Sequence, residues 1–226
     1  KYMFPAMQGV PIDLTKNPNE PATNATANNT QQPPQKTCSD LKKDDTVFLS
    51  AFIVSKCPFG LQMQRVIAEA IKNVPALTSS IKVRYMSTDL GNGKFTAMHG
   101  DEEYQENLRQ ICIRDEQSAK YWNYVSCFIK KGDTSGCLNS TGINQGTLNS
   151  CVSDNSRGTK YIKTDYDLQT KFNVSGSPTL IQNDETVSEF SFGGRTADAI
   201  KTLVCCGLKT QAGFCSQTLS KESAAT

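Results

Sequence analysis

From Val47 to Val54 nearly every position is apolar (Val47-Phe48-Leu49-Ser50-Ala51-Phe52-Ile53-Val54). A run of that kind predicts a central strand over 46–54, covered on both faces. The period then changes. Leu61, Val66, Ile67, Ala70 and Ile71 recur at helical spacing over 59–73, and Pro75 lies just past the end, so a helix follows the strand directly. Ile81 to Met86 alternates as a second strand, and Gly91-Asn92-Gly93 marks a turn. This β-α-β order predicts parallel strands joined by a right-handed crossover. From Asp101 to about Phe172 the pattern is helical, with helices expected over 101–114, 115–131, 144–153 and 163–172. Lys130 and Lys131 complement the dipole at the end of the second of these, and Tyr121, Trp122 and Tyr124 read as core of this region. Pro178–Gln182 and Val187–Phe192 then flank Asn183-Asp184 as a hairpin. A last helix runs from Thr196, whose side chain can cap it, to about Cys205. The fold class is α/β, with a helical insertion over about 101–172 between β-α-β and β-β-α.

Residues 1–36 follow neither period. Tyr2-Met3-Phe4-Pro5-Ala6-Met7 and Val10-Pro11-Ile12-Asp13-Leu14 are apolar and punctuated by proline, and Asn17–Gln35 holds Asn, Pro, Thr, Gln, Ala and one Glu. The polar part reads as a linker that buries too little surface to fold alone. An apolar tip over 1–14 on such a tether suits a groove or a sheet edge, on its own domain or on a second copy in a homo-oligomer. About 20 linker residues span on the order of 70 Å when extended. The expected organisation is an arm and linker over 1–36, a globular domain over 37–216 and a tail over 217–226. Because the chain opens on Lys1 with no signal-peptide pattern, a processed or truncated chain is expected.

Charge and cysteine usage narrow the function. Lys+Arg 24 against Asp+Glu 22 gives a net charge of +2, which argues against nucleic acid or an anionic membrane as the main partner. No apolar run approaches the roughly 20 residues of a membrane span. The chain has nine cysteines, contains no Cys-x-x-Cys, and His99 is its only histidine. That set implies no metal site and no cofactor. Disulfides in an oxidising compartment are the better reading. Nine is odd, so four bridges and a free Cys57 is the simplest arithmetic. Asn24, Asn28, Asn139 and Asn173 head Asn-x-Ser/Thr triplets, which accord with a glycosylated chain that is extracellular or lumenal.

Cys57 stands in Ser55-Lys56-Cys57-Pro58-Phe59-Gly60, where the strand ends and the helix begins. Unpaired backbone N–H groups and the positive helix end favour thiolate over thiol at such a position. This resembles a thioredoxin-like fold, which places its redox cysteine there. In the dithiol form the motif is Cys-x-x-Cys; here Gly60 takes the fourth place, so the chemistry rests on one sulfur. Thioredoxin-like proteins also set a cis-proline against the active cysteine, and the residue before it pairs with extended substrate. The resemblance assigns those roles to Pro178 and Ser177 in Val174-Ser175-Gly176-Ser177-Pro178-Thr179-Leu180. The opposing expectation is a buried or bridged structural cysteine.

The segment from His99 to Cys112 resembles the signature of the lysosomal thiol reductases first described as interferon-gamma-inducible, C-Q-H-G-x2-E-C-x2-N-x4-C. His99, Gly100, Glu103, Asn107 and Cys112 fall in register, whereas Ala97, Met98 and Tyr104 replace the signature's remaining residues. The resemblance covers about 46–216, and the spacing of Cys127, Cys137, Cys151, Cys205 or Cys206 and Cys215 agrees with it. The expected disulfides are Cys127–Cys137 as a loop clamp, Cys112–Cys151, one of Cys205 and Cys206 with Cys215, and Cys38 with the other. Spacing alone does not fix connectivity. His99 is expected in a structural or capping role with no identifiable partner, and Glu103 and Asn107 are expected to bond locally or to solvent. The resemblance implies a thiol reductase acting on protein or peptide thiols and disulfides. With Gly60 in place, a mixed disulfide at Cys57 must be resolved by an external thiol. The alternative is a non-catalytic structural subunit of an extracellular assembly, joined through its N-terminal arm.

Overall fold

In the computed structural model the apolar run becomes β3 (Leu49–Ile53), whose residues are all buried. The model describes Tyr2–Met3, Ile12–Asp13 and residues 36–224. Its two units are Lys1–Gln35 and Lys36–Thr226. In the first, β1 (Tyr2–Met3) and β2 (Ile12–Asp13) pair antiparallel, with Tyr2 opposite Asp13 and Met3 opposite Ile12. The rest of the expected arm and linker, with Asn24 and Asn28, lies outside the described residues.

In the second unit β3 is central. It pairs in parallel with β4 (Ile81–Tyr85) and antiparallel with β7 (Thr179–Gln182), which pairs antiparallel with β8 (Glu185–Val187). The sheet order is β4-β3-β7-β8. Alternation along β3 splits its side chains between two cores. Leu49, Ala51 and Ile53 join the main core, together with Met63, Val66, Ile67 and Ala70 of α1 (Pro58–Asn73). Phe52 and Val54 join a smaller cluster with Cys57, Met86, Val174 and Ile181. The strand buried on both faces is therefore also the strand that leads the chain to Cys57. α1 packs against α7 (Ala197–Cys206), and the Thr196 side chain caps α7 by accepting the Ala199 N–H. The fold is a thioredoxin-like α/β fold with a helical insertion.

That insertion contains α2 (Asp101–Glu116), α3 (Ser118–Lys131), α4 (Thr134–Ser140), α5 (Gln145–Ser153), a π turn over Asn155–Thr159, and α6 (Lys160–Lys171). α4 was not expected; Asp133 starts it by accepting the Gly136 N–H. Disulfides join Cys112 of α2 to Cys151 of α5, and Cys127 of α3 to Cys137 of α4. Lys130 and Lys131 occupy the last turn of α3, which ends on left-handed Gly132. Tyr121 and Tyr124 are buried and Trp122 packs against the core, its ring edge-on to Tyr121 with centroids 4.9 Å apart. Two further disulfides, Cys38–Cys206 and Cys205–Cys215, send the adjacent cysteines at the end of α7 to different partners.

The expected turn at Gly91-Asn92-Gly93 is present, and the Asn183-Asp184 hairpin differs from expectation in the bounds of its second strand. Gly91-Asn92-Gly93 belongs to a small antiparallel hairpin of β5 (Thr88–Gly91) and β6 (Lys94–Thr96). In the other, Asn183 and Asp184 both take positive φ (50° and 67°). That tight turn lets pairing resume at Glu185 rather than Val187. The chain leaves the sheet at Ser188, whose side chain accepts the Phe190 N–H and opens a short 3-10 turn. Among the described residues no helix is long and apolar enough to cross a membrane.

Insertion and sheet are tied by buried charge. Asp165 of α6 accepts from Arg84 of β4 at 2.9 Å, from Arg114 of α2 at 2.6 Å and from the Tyr85 N–H at 3.0 Å. Tyr85, Tyr121, Gln64 and Gln110 form an adjoining buried hydrogen-bonded group. Burial pushes the Tyr85 and Tyr121 hydroxyls up, so they stay protonated donors. Replacing Asp165 by Asn removes the counter-charge of the buried Arg84 guanidinium and one of the two carboxylates that face Arg114, which keeps Asp115. The expected cost is about 3–5 kcal/mol, read as a fall in Tm of roughly 10 °C. Burial also pushes Asp115 up, but the Arg114 charge and hydrogen bonds from Arg114 and Lys82 outweigh it and hold this carboxyl below its usual range. A depressed folded value means stabilisation that is complete at neutral pH and is lost as the pH falls below about 4. Denaturant midpoints measured from pH 6 to pH 3 should fall, and Asp115→Asn should flatten that fall.

Candidate functional site

The turn from β3 into α1 has to bury its backbone, because Phe52, Val54 and Cys57 all face the smaller core. Its N–H groups then need acceptors. Asn107 Oδ1 accepts from the Ser55 N–H at 2.9 Å, and Glu103 Oε1 accepts from the Lys56 N–H at 2.9 Å. Both acceptors lie one turn apart on α2. Asn107 also donates to the Met86 carbonyl at 3.3 Å, beyond the end of β4. Glu103 Oε2 accepts the His99 N–H at 3.0 Å, and both carboxylate oxygens lie 3.0 Å from His99 Nδ1. Glu103 is fully buried, while the His99 side chain is half exposed. These three residues therefore do more than expected: His99 has a partner, and Glu103 and Asn107 bind neither solvent nor only their own helix. The His-x3-Glu-x3-Asn spacing carried this signal, which only the partner segment could decode.

Cys57 is the N-cap of α1 and Pro58 its first residue. Pro58 brings no N–H to the helix start. Cys57 is the cysteine left free, and only 8% of it is exposed. Its Sγ lies 3.7 Å from the Ser177 carbonyl oxygen, to which the thiol donates. The Ser177–Pro178 peptide bond is cis, and the Ser177 hydroxyl accepts the Val54 N–H at 3.0 Å. Cys57, Ser177 and Pro178 thus meet at one point, as strand order requires when β3 and β7 are neighbours.

Gly60 closes this point from below. A Cβ there would stand 2.6 Å from the Val54 carbonyl oxygen, 2.9 Å from Ser177 Oγ and 3.5 Å from Cys57 Cβ. The first two are closer than van der Waals contact permits. The helix start has moved in on the strand end and the serine, and it leaves no room for a side chain at position 60. Around the thiol the surface is partly apolar. Phe59 and Phe190 are exposed, and Arg195 lies 5.9 Å and 5.5 Å from their ring centroids, held by Glu189 and Gln62. On another side a cavity of about 150 Å³ is lined by Val54, Met86, Ser87 and Met98, among others. The buried Ser87 hydroxyl there has no hydrogen-bond partner among the described residues. Asn139 and Asn173 are both exposed, the latter four residues before Ser177.

No family model matches this chain, and no curated protein does. Solved structures do. Oxidised Mtb DsbA is similar over 78% of this chain and 92% of its own, with 13% identity and a TM-score of 0.52. A variant of Pseudomonas aeruginosa DsbA is similar over 73% of this chain and 86% of its own, with 14% identity and a TM-score of 0.50. BdbD from Bacillus subtilis is 20% identical over 75% of this chain and 92% of its own, with a TM-score of 0.49. At these identities the shared property is the fold.

The close approach at Gly60 gives a direct test. Gly60→Ala should destabilise the chain by about 1–3 kcal/mol through overpacking. Ser177→Gly alone should also cost stability, because the Val54 N–H loses its acceptor, so the steric contact should appear as a double-variant loss smaller than the sum of the two single losses. Denaturant midpoints of the two single variants and the double variant measure this; a Gly60→Ala midpoint equal to wild type would refute the contact.

Proposed function

We propose that this protein carries out monothiol disulfide exchange on protein or peptide partners in an oxidising, extracytoplasmic compartment. The observation that carries the reading is the one free sulfur of nine, placed at the N-cap of α1 and against the Ser177–Pro178 peptide, while the other eight are bridged. The resemblance of His99–Cys112 to the lysosomal thiol reductases supports it. So does the DsbA-like fold, because DsbA-like proteins act on protein thiols; fold alone does not establish activity. Four disulfides and the exposed Asn139 and Asn173 sequons support the compartment.

In the exchange, the Cys57 thiolate attacks one sulfur of a partner disulfide. A Cys57–sulfur bond forms as the partner's S–S bond breaks, and the second partner sulfur leaves with the electron pair and takes up a proton. Ser177 and Pro178 orient the extended partner segment beside the attacking sulfur. Position 60 supplies no second thiol, so an external one, a glutathione-type small thiol or a protein thiol, attacks the mixed disulfide. That second exchange returns the Cys57 thiol and leaves a new disulfide on the partner. One disulfide is consumed and one is made, with no net change of oxidation state. The assembly reading, with the arm over 1–14 docked on a second copy, rests on residues mostly outside the described ones.

The test is alkylation of the intact, oxidised protein across pH, read by mass spectrometry, alongside incubation with a peptide disulfide. Cys57 should be the residue modified. A mixed disulfide should accumulate until a small thiol is added, and Cys57→Ser should abolish it. Wild-type protein that is inert in both assays would rule out exchange.

A further inference from the structure

The insertion reaches the reactive turn through Glu103 and Asn107, and the two differ in charge. Glu103 receives a backbone donor on each oxygen, the Lys56 N–H on Oε1 and the His99 N–H on Oε2, and His99 Nδ1 lies 3.0 Å from both. Two backbone N–H groups aimed at the two oxygens favour the carboxylate. It is fully buried and bonded to the residue next to Cys57. Asn107 makes the equivalent bond to Ser55 with a neutral oxygen.

We propose that Glu103 is a positioning residue with a second effect: through the Lys56 N–H it fixes the Cys57 turn, and its buried negative charge restrains the thiolate that forms there. This rests on Cys57 being the exchanging sulfur. The physical reason is electrostatic: a carboxylate bonded to the residue before Cys57, in a buried and poorly screened site, opposes a second negative charge on the sulfur. The charged groups around this point are few. Lys56 turns its ammonium outward to Glu102 at 2.8 Å, His99 faces Glu103 from the solvent side, and Arg195 lies beyond the Phe59 ring. Cys57 itself faces the Ser177 carbonyl, which carries no charge.

Two near-isosteric substitutions separate charge from packing. Glu103→Gln keeps an acceptor for the Lys56 N–H and removes the negative charge. Asn107→Asp keeps an acceptor for the Ser55 N–H and adds one. The pH midpoint of Cys57 alkylation on the intact, oxidised chain should fall by about half to one pH unit in Glu103→Gln and rise by a similar amount in Asn107→Asp. In Glu103→Gln the alkylation rate at neutral pH should rise about three- to tenfold. A purely structural role predicts something else, two variants that loosen the turn and shift reactivity in the same direction. Melting curves identify a variant that does not fold, and opposite shifts in the two folded variants support the proposal. An unchanged midpoint or one moved the opposite way, in a folded variant, overturns the proposal. If the midpoints move as expected but no variant forms a mixed disulfide with a peptide disulfide, the restraint stands and the exchange reading fails.

Discussion

The structure depends on how a buried turn between strand and helix finds acceptors for its backbone. β3 is covered on both faces, and the chain that leaves it is buried at Ser55 and Cys57, while the Lys56 side chain reaches solvent. An unpaired buried N–H costs about 1–3 kcal/mol, so two of them in sequence would open the turn. The helical insertion supplies what the sheet cannot. α2 brings Asn107 to Ser55 and Glu103 to Lys56, and α6 brings Asp165 to the guanidinium groups of Arg84 and Arg114. The disulfides at Cys112–Cys151 and Cys127–Cys137 brace those helices against one another. The insertion is therefore part of the site's foundation, and its Leu168 and Phe172 pack against the small cluster that holds Cys57.

Much of the architecture was legible because it follows from period and polarity. The unbroken run at Val47–Val54 gave a strand with no wet face, and the 3.6 period after Cys57 gave α1 to within a residue. Boundaries went astray where backbone geometry outranks side-chain pattern. Asn183 and Asp184 both turn left-handed, which no apolar count reveals, so β8 begins and ends early. The seven-residue α4 is too short and too polar to show a stripe, and its start is set by a capping aspartate. At the site, the meeting of Cys57 with Ser177 and Pro178 could be anticipated from resemblance to a fold. The roles of Glu103 and Asn107 could not. On a helix read alone, residues four apart look like neighbours on a surface. Their function depends on a segment some 50 residues away in sequence.

Gly60 illustrates a limit of reading a motif by its missing letter. Cys-Pro-Phe-Gly reads as a dithiol motif with one sulfur deleted, as though the vacancy were waiting. The structure shows it occupied. The Val54 carbonyl and the Ser177 hydroxyl stand where the first atom of a side chain would go. Shape and chemistry therefore support each other: the serine that satisfies the Val54 N–H is also the atom that excludes a second sulfur.

The arrangement acts as a ratchet in sequence space. A relative with space at this position sits one codon change from a two-sulfur site, whereas here a cysteine at 60 meets a backbone oxygen that no side-chain substitution can move. Reaching two-sulfur chemistry from this chain would require the strand end, the helix start and the proline loop to shift together. Point mutation therefore explores the properties of a single sulfur, its partners, its lifetime as an adduct and the thiol that frees it, far more readily than it explores a return to a self-resolving pair.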